Sequence, residues 1–325
     1  MIDDDLLSRI SQRYQRFAER EARGRSPLYE RFGQAVATDR TMLEFLATLP
    51  EPKRQPNLLF AAARWLGGTP DTYTDLRSVL LERRTELTEL MLARSTQTNE
   101  AARCATLLPV LMALPQPLAL LEVGASAGLT LLPDRYSYNY ARQVTLTAPD
   151  PAAPVLHCQP HGPVPLPHTL PEVIWRAGID LNPLDVTDEE DVAWLRCLIW
   201  PGEPDRDERL TAAVAVARQD PPRIIRGDLV DGLVDLASQA PSHATLVVFH
   251  SAVLVYVSQS RRRDFAAAVR DLDAVWLSNE VPGVLPDLIN QPTPPPDTDP
   301  FVLVRDGTAV AFTDGHGKWI QWITP

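Results

Sequence analysis

The chain has 325 residues, of which 45% are hydrophobic and 22% are charged, and this composition excludes a disordered or fibrous protein. At about 150 residues per domain, the length predicts two structural units. The formal net charge of −11 argues against a nucleic-acid partner, because nucleic-acid binders carry a basic surface.

Cysteine usage and apolar runs indicate the class of protein. The cysteines Cys104, Cys158 and Cys197 lie far apart and form no CxxC pair, so we expect neither a disulfide framework nor a bound metal. The N-terminus is acidic, unlike a signal peptide, and prolines interrupt the most apolar stretch, residues 107–132. We therefore expect a cytoplasmic protein with no membrane partner.

The first third of the chain carries a helical pattern. Apolar residues recur three or four positions apart, as at Leu7, Ile10 and Tyr14, and no strand pattern interrupts them. We predict that residues 1–115 form an all-helical N-terminal cap or lid domain.

The character of the sequence changes at residue 116, where short apolar runs begin. Such runs are typical of strands buried in a parallel sheet, and they cover residues 118–123, 173–177, 223–226, 245–249 and 274–277. Helical patterns separate the later runs, at residues 189–198, 208–218 and 260–272. This alternation predicts an α/β domain over residues 116–325 with a doubly wound, mostly parallel sheet.

The end of the chain predicts antiparallel strands. Residues 301–305 and 308–312 flank Asp306-Gly307, a strong hairpin turn signal, and a further apolar segment follows. Two proline-rich stretches, residues 149–171 and 282–300, are predicted to be surface loops.

The segment 122–128, with the sequence EVGASAG, follows the first buried strand, and we expect a helix after it. The segment admits three interpretations. The first is a phosphate-binding loop. A dinucleotide loop needs GxGxxG, and a Walker loop needs Lys-Ser or Lys-Thr after the last glycine. The segment has neither, so both phosphate interpretations are weak.

The second interpretation is the nucleophile elbow of a serine hydrolase, because the segment matches GxSxG with Ser126 as the nucleophile. Asp228 with His250, or Asp287 with His316, would supply the acid and the histidine in the required order. The helical pattern upstream argues against an elbow, which normally follows several strands of its sheet.

The third interpretation is a resemblance to motif I of class I S-adenosylmethionine-dependent methyltransferases. That motif is an apolar strand and an acid followed by GxGxG, and here Ser126 replaces the middle glycine. The resemblance implies S-adenosylmethionine as the cofactor, with Gly124, Ser126 and Gly128 around its methionine end. It also implies that Glu122 orients the loop and the amine of the cofactor.

Later segments resemble the same methyltransferase fold. Residues 178–183 look like the end of its second strand, which implies that Asp180 binds the ribose hydroxyls. Residues 226–229 look like the end of its third strand, which implies that Asp228 accepts from the adenine amino group. The spacing from the glycine loop to Asp180 exceeds that of the family, and an insertion in the first proline-rich stretch would account for it.

Residues near the predicted fourth strand are candidates for catalysis. His250 ends that strand and is the candidate general base, since imidazole titrates near neutral pH; a hydrogen-bonded core histidine is the alternative. Ser251 and Tyr256 follow it and could act in catalysis or only pack. Arg103 precedes the first strand and could pair with the cofactor carboxylate, or be an ordinary surface arginine.

Over nearly its full length the chain also resembles a bacterial family catalogued as domain of unknown function 2332. The segments that carry this resemblance are residues 96–100, 122–128, 175–185, 194–201, 250–251 and 278–280. The resemblance implies a methyltransferase-like fold and supplies no activity. We therefore predict an S-adenosylmethionine-dependent methyltransferase acting on an unknown small or medium-sized acceptor. The alternatives are a protein that binds this ligand or a nucleoside without turnover, and the Ser126 hydrolase.

Overall fold

A computed structural model describes residues 3–285, 292–295 and 298–323 of the chain. Its internal contacts define two compact units. The first comprises residues 1–98 and 189–208, and the second comprises residues 99–188 and 209–325. The division therefore falls after Thr98 rather than near residue 115.

The first unit is helical, as the sequence predicts for the N-terminal region, and no strand occurs among its described residues. Six helices precede the second unit: α1 Asp4–Arg16, α2 Pro27–Thr38, α3 Arg40–Ala47, α4 Pro56–Gly67, α5 Tyr73–Glu82 and α6 Arg84–Ala93. Local signals start several of them, such as the reciprocal capping box between Thr72 and Asp75. The core contains an aromatic cluster in which Tyr29 lies 4.8 Å from Phe60 and 5.5 Å from Trp200, measured between ring centroids.

Three further helices lie in the second unit: α7 Cys104–Met112, α10 Leu233–Ala237 and α11 Gln259–Arg270. Helix α9, Pro204–Gln219, begins in the first unit's sequence and ends in the second unit's. Helix α8, Glu189–Cys197, falls in the first unit although the chain enters it from a strand of the second. The helices predicted at 189–198, 208–218 and 260–272 are thus all present, and α9 begins earlier than the sequence indicates.

The second unit holds all the strands that the structure describes. They are β1 Leu118–Val123, β2 Ser137–Tyr140, β3 Val144–Leu146, β4 Val155–His157, β5 Gln159–His161, β6 Val173–Asp180, β7 Arg223–Arg226, β8 Thr245–Ser251, β9 Val275–Glu280, β10 Phe301–Arg305, β11 Thr308–Thr313 and β12 Trp319–Trp322. Nine form one sheet in the order β5-β12-β11-β10-β9-β8-β1-β6-β7, and the other three form a small sheet in the order β3-β2-β4.

The large sheet is mostly parallel. Strands β7, β6, β1, β8 and β9 are parallel neighbours, whereas β10, β11 and β12 continue the sheet in antiparallel fashion. Every residue of β1 is buried, which explains its continuous apolar run, since a central parallel strand is covered on both faces. The α/β class with antiparallel C-terminal strands is therefore as predicted.

The strand order reverses at β1. From β1 the chain first adds β6 and β7 on one side, and then adds β8 and β9 on the other. Such a topological switch point leaves a crevice beyond the carboxyl ends of the strands, and ligands bind there in open α/β sheets. In this sheet the switch point lies between β1 and β8.

Two sequence expectations need correction. The glycine loop does not lead into an α-helix, because only a single 3-10 turn, Leu129–Leu131, follows it before the chain enters the small sheet. The stretch 149–171 is not all loop, since it contributes β4 and β5. These strands are three residues long, too short to show alternation, and prolines flank them. Much of the predicted loop 282–300 lies outside the described residues.

Candidate functional site

The carboxyl ends of β1 and β6 bring two acids to one edge of the sheet. The strands run in register, with Glu122 opposite Gly178, so the chain beyond β1 meets the chain beyond β6. Asp180 uses one carboxylate oxygen to accept from the backbone N–H of Ser126 at 2.8 Å and the other to accept from Asn182 at 2.8 Å. The end of β6 is thereby bonded directly to the glycine loop.

Glu122 is almost completely buried, with 4% of its surface exposed. The Thr130 hydroxyl donates to its Oε1, whereas its buried Oε2 has no hydrogen-bond partner among the described residues. Burial raises the pKa of Glu122 to about 8; the Thr130 hydrogen bond and the charge of Arg103 oppose this rise, and the charge of Asp180 adds to it. The carboxyl group is therefore largely protonated at neutral pH.

Arg103 is a buried residue rather than a surface arginine. It ends a 3-10 turn directly before α7, and its Nε donates to the carbonyl of Gly315 at 2.9 Å. One of its terminal nitrogens donates to the carbonyl of Ser251 at 3.1 Å. The guanidinium thus joins the end of β8 to the turn between β11 and β12, close enough to Glu122 to affect its pKa.

The two loop glycines are explained by close internal packing. Gly124 has a φ of +71°, and a Cβ there would lie 2.4 Å from a methyl carbon of Val253. Gly128 has a φ of +73°, and a Cβ there would lie 2.9 Å from the side chain of Pro222. Both the backbone conformation and the lack of space require glycine, so these positions do not by themselves indicate a ligand cradle.

Asn99 is a site residue that sequence reasoning missed. Its side-chain amide donates to the carbonyl of Ala125 at 3.3 Å, and its Oδ1 accepts from the backbone N–H of Leu129 at 2.8 Å. One side chain therefore holds both sides of the glycine loop, which has no α-helix to support it. The sequence signal was limited to the position of Asn99 in the segment 96–100, one of those that carry the resemblance to the bacterial family.

His250 is fully buried, and both of its ring nitrogens are engaged. Nδ1 lies 2.8 Å from Oε1 of Glu280, and Nε2 accepts from the indole N–H of Trp276 at 3.1 Å. An Nε2 that accepts requires the proton on Nδ1, so the imidazole is neutral and donates to Glu280. This geometry favours the alternative, a hydrogen-bonded core histidine, over the general base, because both ring nitrogens already have protein partners.

The other two catalytic candidates differ in exposure. Ser251 is 7% exposed, and its hydroxyl accepts from Nδ2 of Asn279 at 3.2 Å. Tyr256 is 66% exposed at the end of the 3-10 turn Leu254–Tyr256. Ser251 therefore has a structural partner, and Tyr256 is the candidate that solvent reaches.

Asp228 lies beyond β7, two strands away from β1, and is paired with a cation of the protein itself. Arg261 of α11 bonds both Asp228 and Asp231. Partial burial opposes ionisation of Asp228, but hydrogen bonds from Val230 and Arg261 outweigh it and hold the pKa below the usual value. The structure thus gives this carboxylate a protein partner where the resemblance implies adenine.

A family model matches residues 11–322 of the chain, and its description is "Uncharacterized protein conserved in bacteria (DUF2332)". The chain belongs to this family. It has no significant match among the curated proteins or among the solved structures.

Three segments that carry the DUF2332 resemblance converge in this structure. Residues 122–128 form the β1 loop, residues 250–251 end β8, and residues 278–280 end β9. The strands β1, β8 and β9 are sheet neighbours, so these segments reach the same edge. None of the helices that the structure describes is long and apolar enough to cross a membrane.

The hydrolase interpretation lacks its structural context in this DUF2332 protein. A nucleophile elbow joins a strand to a helix, whereas Ser126 precedes only a 3-10 turn. Of its predicted partners, Asp228 is bonded to Arg261 and His250 to Glu280, and Asp287 lies outside the described residues.

Proposed function

We propose that the carboxyl edge of β1 binds S-adenosylmethionine and that the protein is a methyltransferase for a small or medium-sized acceptor. The observation that carries this proposal is the switch point between β1 and β8, with Glu122 at the end of β1 and Asp180 at the end of its neighbour β6. In open α/β sheets, ligands bind at this position.

The residues present fit the cofactor at two points. The buried Oε2 of Glu122 has no partner among the described residues, and the ammonium group of the cofactor would donate to it and favour its ionised form. Asp180 is partly exposed, and a carboxylate can accept from both hydroxyls of a ribose. Arg103 has a different role from the one the resemblance implies, because it bonds two backbone carbonyls.

The contribution of the chain is mainly positioning, which can supply several kcal/mol of a reaction barrier. When bound, S-adenosylmethionine supplies an electrophilic methyl group. Asn99 and Asp180 fix the glycine loop through its backbone. Glu122 holds a proton that it releases when a cation approaches its Oε2, since an adjacent positive charge lowers the pKa of a carboxyl group.

The second candidate function is binding of the same ligand without turnover. It is favoured by the buried, fully bonded state of His250, which deprives the fourth strand of its expected general base.

Thermal-shift assays with S-adenosylmethionine and its demethylated product test the proposal. At 100 times the dissociation constant, either ligand should stabilise the protein by about 2.7 kcal/mol. Glu122→Gln should reduce the shift, and Glu172→Gln, a change at an exposed carboxyl just before β6, should leave it unaltered. The absence of any shift with the unmodified protein would refute the proposal. Transfer of labelled methyl groups to a metabolite extract would then separate the methyltransferase from the binding protein.

A further inference from the structure

We infer that Asn279 and Glu280, the last residues of β9, are positioning residues that shape the turn after β8 at the proposed ligand site. We use the name β8 turn for residues 250–254, which are the last two residues of β8 and the three residues that follow it. The ligand part of this inference rests on the proposed function, whereas the shaping of the turn does not.

Glu280 binds the β8 turn through a single carboxylate oxygen. Its Oε1 accepts from Nδ1–H of His250 at 2.8 Å, from the backbone N–H of Val253 at 2.9 Å and from that of Leu254 at 3.0 Å. Glu280 is 3% exposed. One buried oxygen therefore holds three donors of the β8 turn at once, and buried donors left without an acceptor are costly.

Asn279 binds the remaining two residues of the β8 turn. Its backbone carbonyl accepts from the backbone N–H of Ala252 at 3.1 Å, and its side-chain Nδ2 donates to the hydroxyl of Ser251 at 3.2 Å. The Thr313 hydroxyl fixes the Asn279 amide by donating to its Oδ1 at 2.7 Å. Every residue from 250 to 254 is therefore bonded to one of two consecutive residues of β9.

The β8 turn needs such support because its backbone is unusual. Ala252 has a φ of +59°, in the left-handed region that residues other than glycine rarely adopt. Strand β8 has ended at Ser251, so the following N–H groups need partners outside the sheet. Buried N–H groups without partners are costly, and Glu280 supplies the acceptor for two of them.

The shape of the β8 turn determines the surroundings of the glycine loop. A methyl carbon of Val253 lies 2.4 Å from the position that a Cβ on Gly124 would take. The carbonyl of Ser251 accepts a hydrogen bond from Arg103. Moving this turn would therefore displace a side chain packed on Gly124 and remove a carbonyl from Arg103, whose charge acts on Glu122. Asn279 and Glu280 act on the site through these contacts.

The test compares Glu280→Ala, Glu280→Gln and Asn279→Ala with the matched control Glu172→Gln. Three measurements are made: amide hydrogen exchange across the chain, the imidazole tautomer of His250 from nitrogen chemical shifts, and the affinity for S-adenosylhomocysteine by calorimetry. S-adenosylhomocysteine is the demethylated product of S-adenosylmethionine. Exchange separates local opening of the β8 turn from global unfolding.

Glu280→Ala should accelerate exchange at the amides of Val253 and Leu254, relative to the unmodified protein. This acceleration should be at least about tenfold greater than the acceleration at the amides of β1. The affinity for S-adenosylhomocysteine should fall by about tenfold or more, and the preference of His250 for the Nδ1–H tautomer, which the Trp276 donor still supports, should weaken. Glu280→Gln keeps an acceptor oxygen and should recover much of the protection and the affinity. Asn279→Ala removes the side-chain bonds to Ser251 and Thr313 and keeps the backbone carbonyl that accepts from Ala252, so it should affect Ser251 most.

Equal acceleration of all amides in Glu280→Ala, with unchanged affinity of the folded protein, would overturn the inference, because it would show a general loss of stability alone. If Glu280→Ala does not fold, Asn279→Ala carries the comparison through the loss of its bond to Ser251, with Glu280→Gln as the variant that keeps an acceptor. If the unmodified protein binds no S-adenosylhomocysteine, the proposed function fails and the ligand part of the inference fails with it. The exchange pattern and the tautomer then still decide whether β9 shapes the β8 turn.

Discussion

Replacing Glu122 by Gln should make the protein more stable relative to the unmodified chain as the pH rises. Glu122 is buried with an unpartnered Oε2, and burial raises its pKa from 4.5 to about 8. Glutamine has nearly the same shape, keeps an oxygen for the Thr130 hydroxyl and cannot ionise. The substitution therefore removes the titration and little else.

The sign follows from proton binding in the folded and unfolded states. Between pH 4.5 and about 8, the unfolded chain has lost the Glu122 proton and the folded chain retains it, so the free energy of unfolding falls as the pH rises. The slope is about 1.4 kcal/mol per pH unit. The slope is smaller near each pKa, so the loss from pH 5 to pH 8 is about 3–4 kcal/mol for the unmodified protein, and Glu122→Gln does not undergo it.

Urea denaturation at several pH values measures this difference. Unfolding of the second unit is followed through deuterium uptake by peptides of β1, and Glu172→Gln serves as the exposed control. The difference in the free energy of unfolding between Glu122→Gln and the unmodified protein should grow towards pH 8, whereas the control difference should stay flat. A Glu122→Gln difference that does not change with pH would refute the assignment of a buried, protonated carboxyl.

Three further predictions concern the glycine loop and the core histidine. Gly124→Ala should destabilise the protein by about 1–3 kcal/mol in urea denaturation, because φ at this position is positive and the new Cβ would meet Val253. Adding Val253→Ala to the same chain should restore part of the lost stability, and purely additive effects of the two substitutions would contradict the contact. Asn99→Ala should cost about 1–3 kcal/mol and increase exchange at the Leu129 amide, and unchanged exchange there would count against the clamp. Trp276→Phe should remove the donor to Nε2 of His250 and relax its tautomer preference in nitrogen chemical shifts, which would stay fixed if that hydrogen bond were unimportant.

The sequence was sufficient to predict the large parallel sheet because its strands are strongly marked. Continuous apolar runs such as 118–123 are buried on both faces, and prolines or glycines bound them. Strands β2 to β5 were missed because they have only three or four residues each, and such short strands show no periodicity. The helix expected after the glycine loop was wrong because the chain turns into the small sheet instead.

The candidate site was predictable where it depends on strand ends and not where it depends on contacts between distant segments. Glu122 and Asp180 end neighbouring parallel strands, and such ends meet at one sheet edge. Asn99 contacts Leu129, 30 residues away, and Glu280 contacts His250, also 30 residues away. No local pattern marks such partners, so neither the loop clamp nor the neutral, fully bonded state of His250 could be read from the sequence.

Isothermal titration calorimetry with S-adenosylmethionine is the most direct test of the central claim that the edge of β1 beside Glu122 is a cofactor site. The unmodified protein should bind the ligand, and Glu122→Gln should weaken binding by about tenfold or more, equivalent to about 1.4 kcal/mol, while Glu172→Gln should bind as the unmodified protein does. No heat of binding with the unmodified protein, or equal affinities for the unmodified and Glu122→Gln proteins, would show that this edge is not a cofactor site.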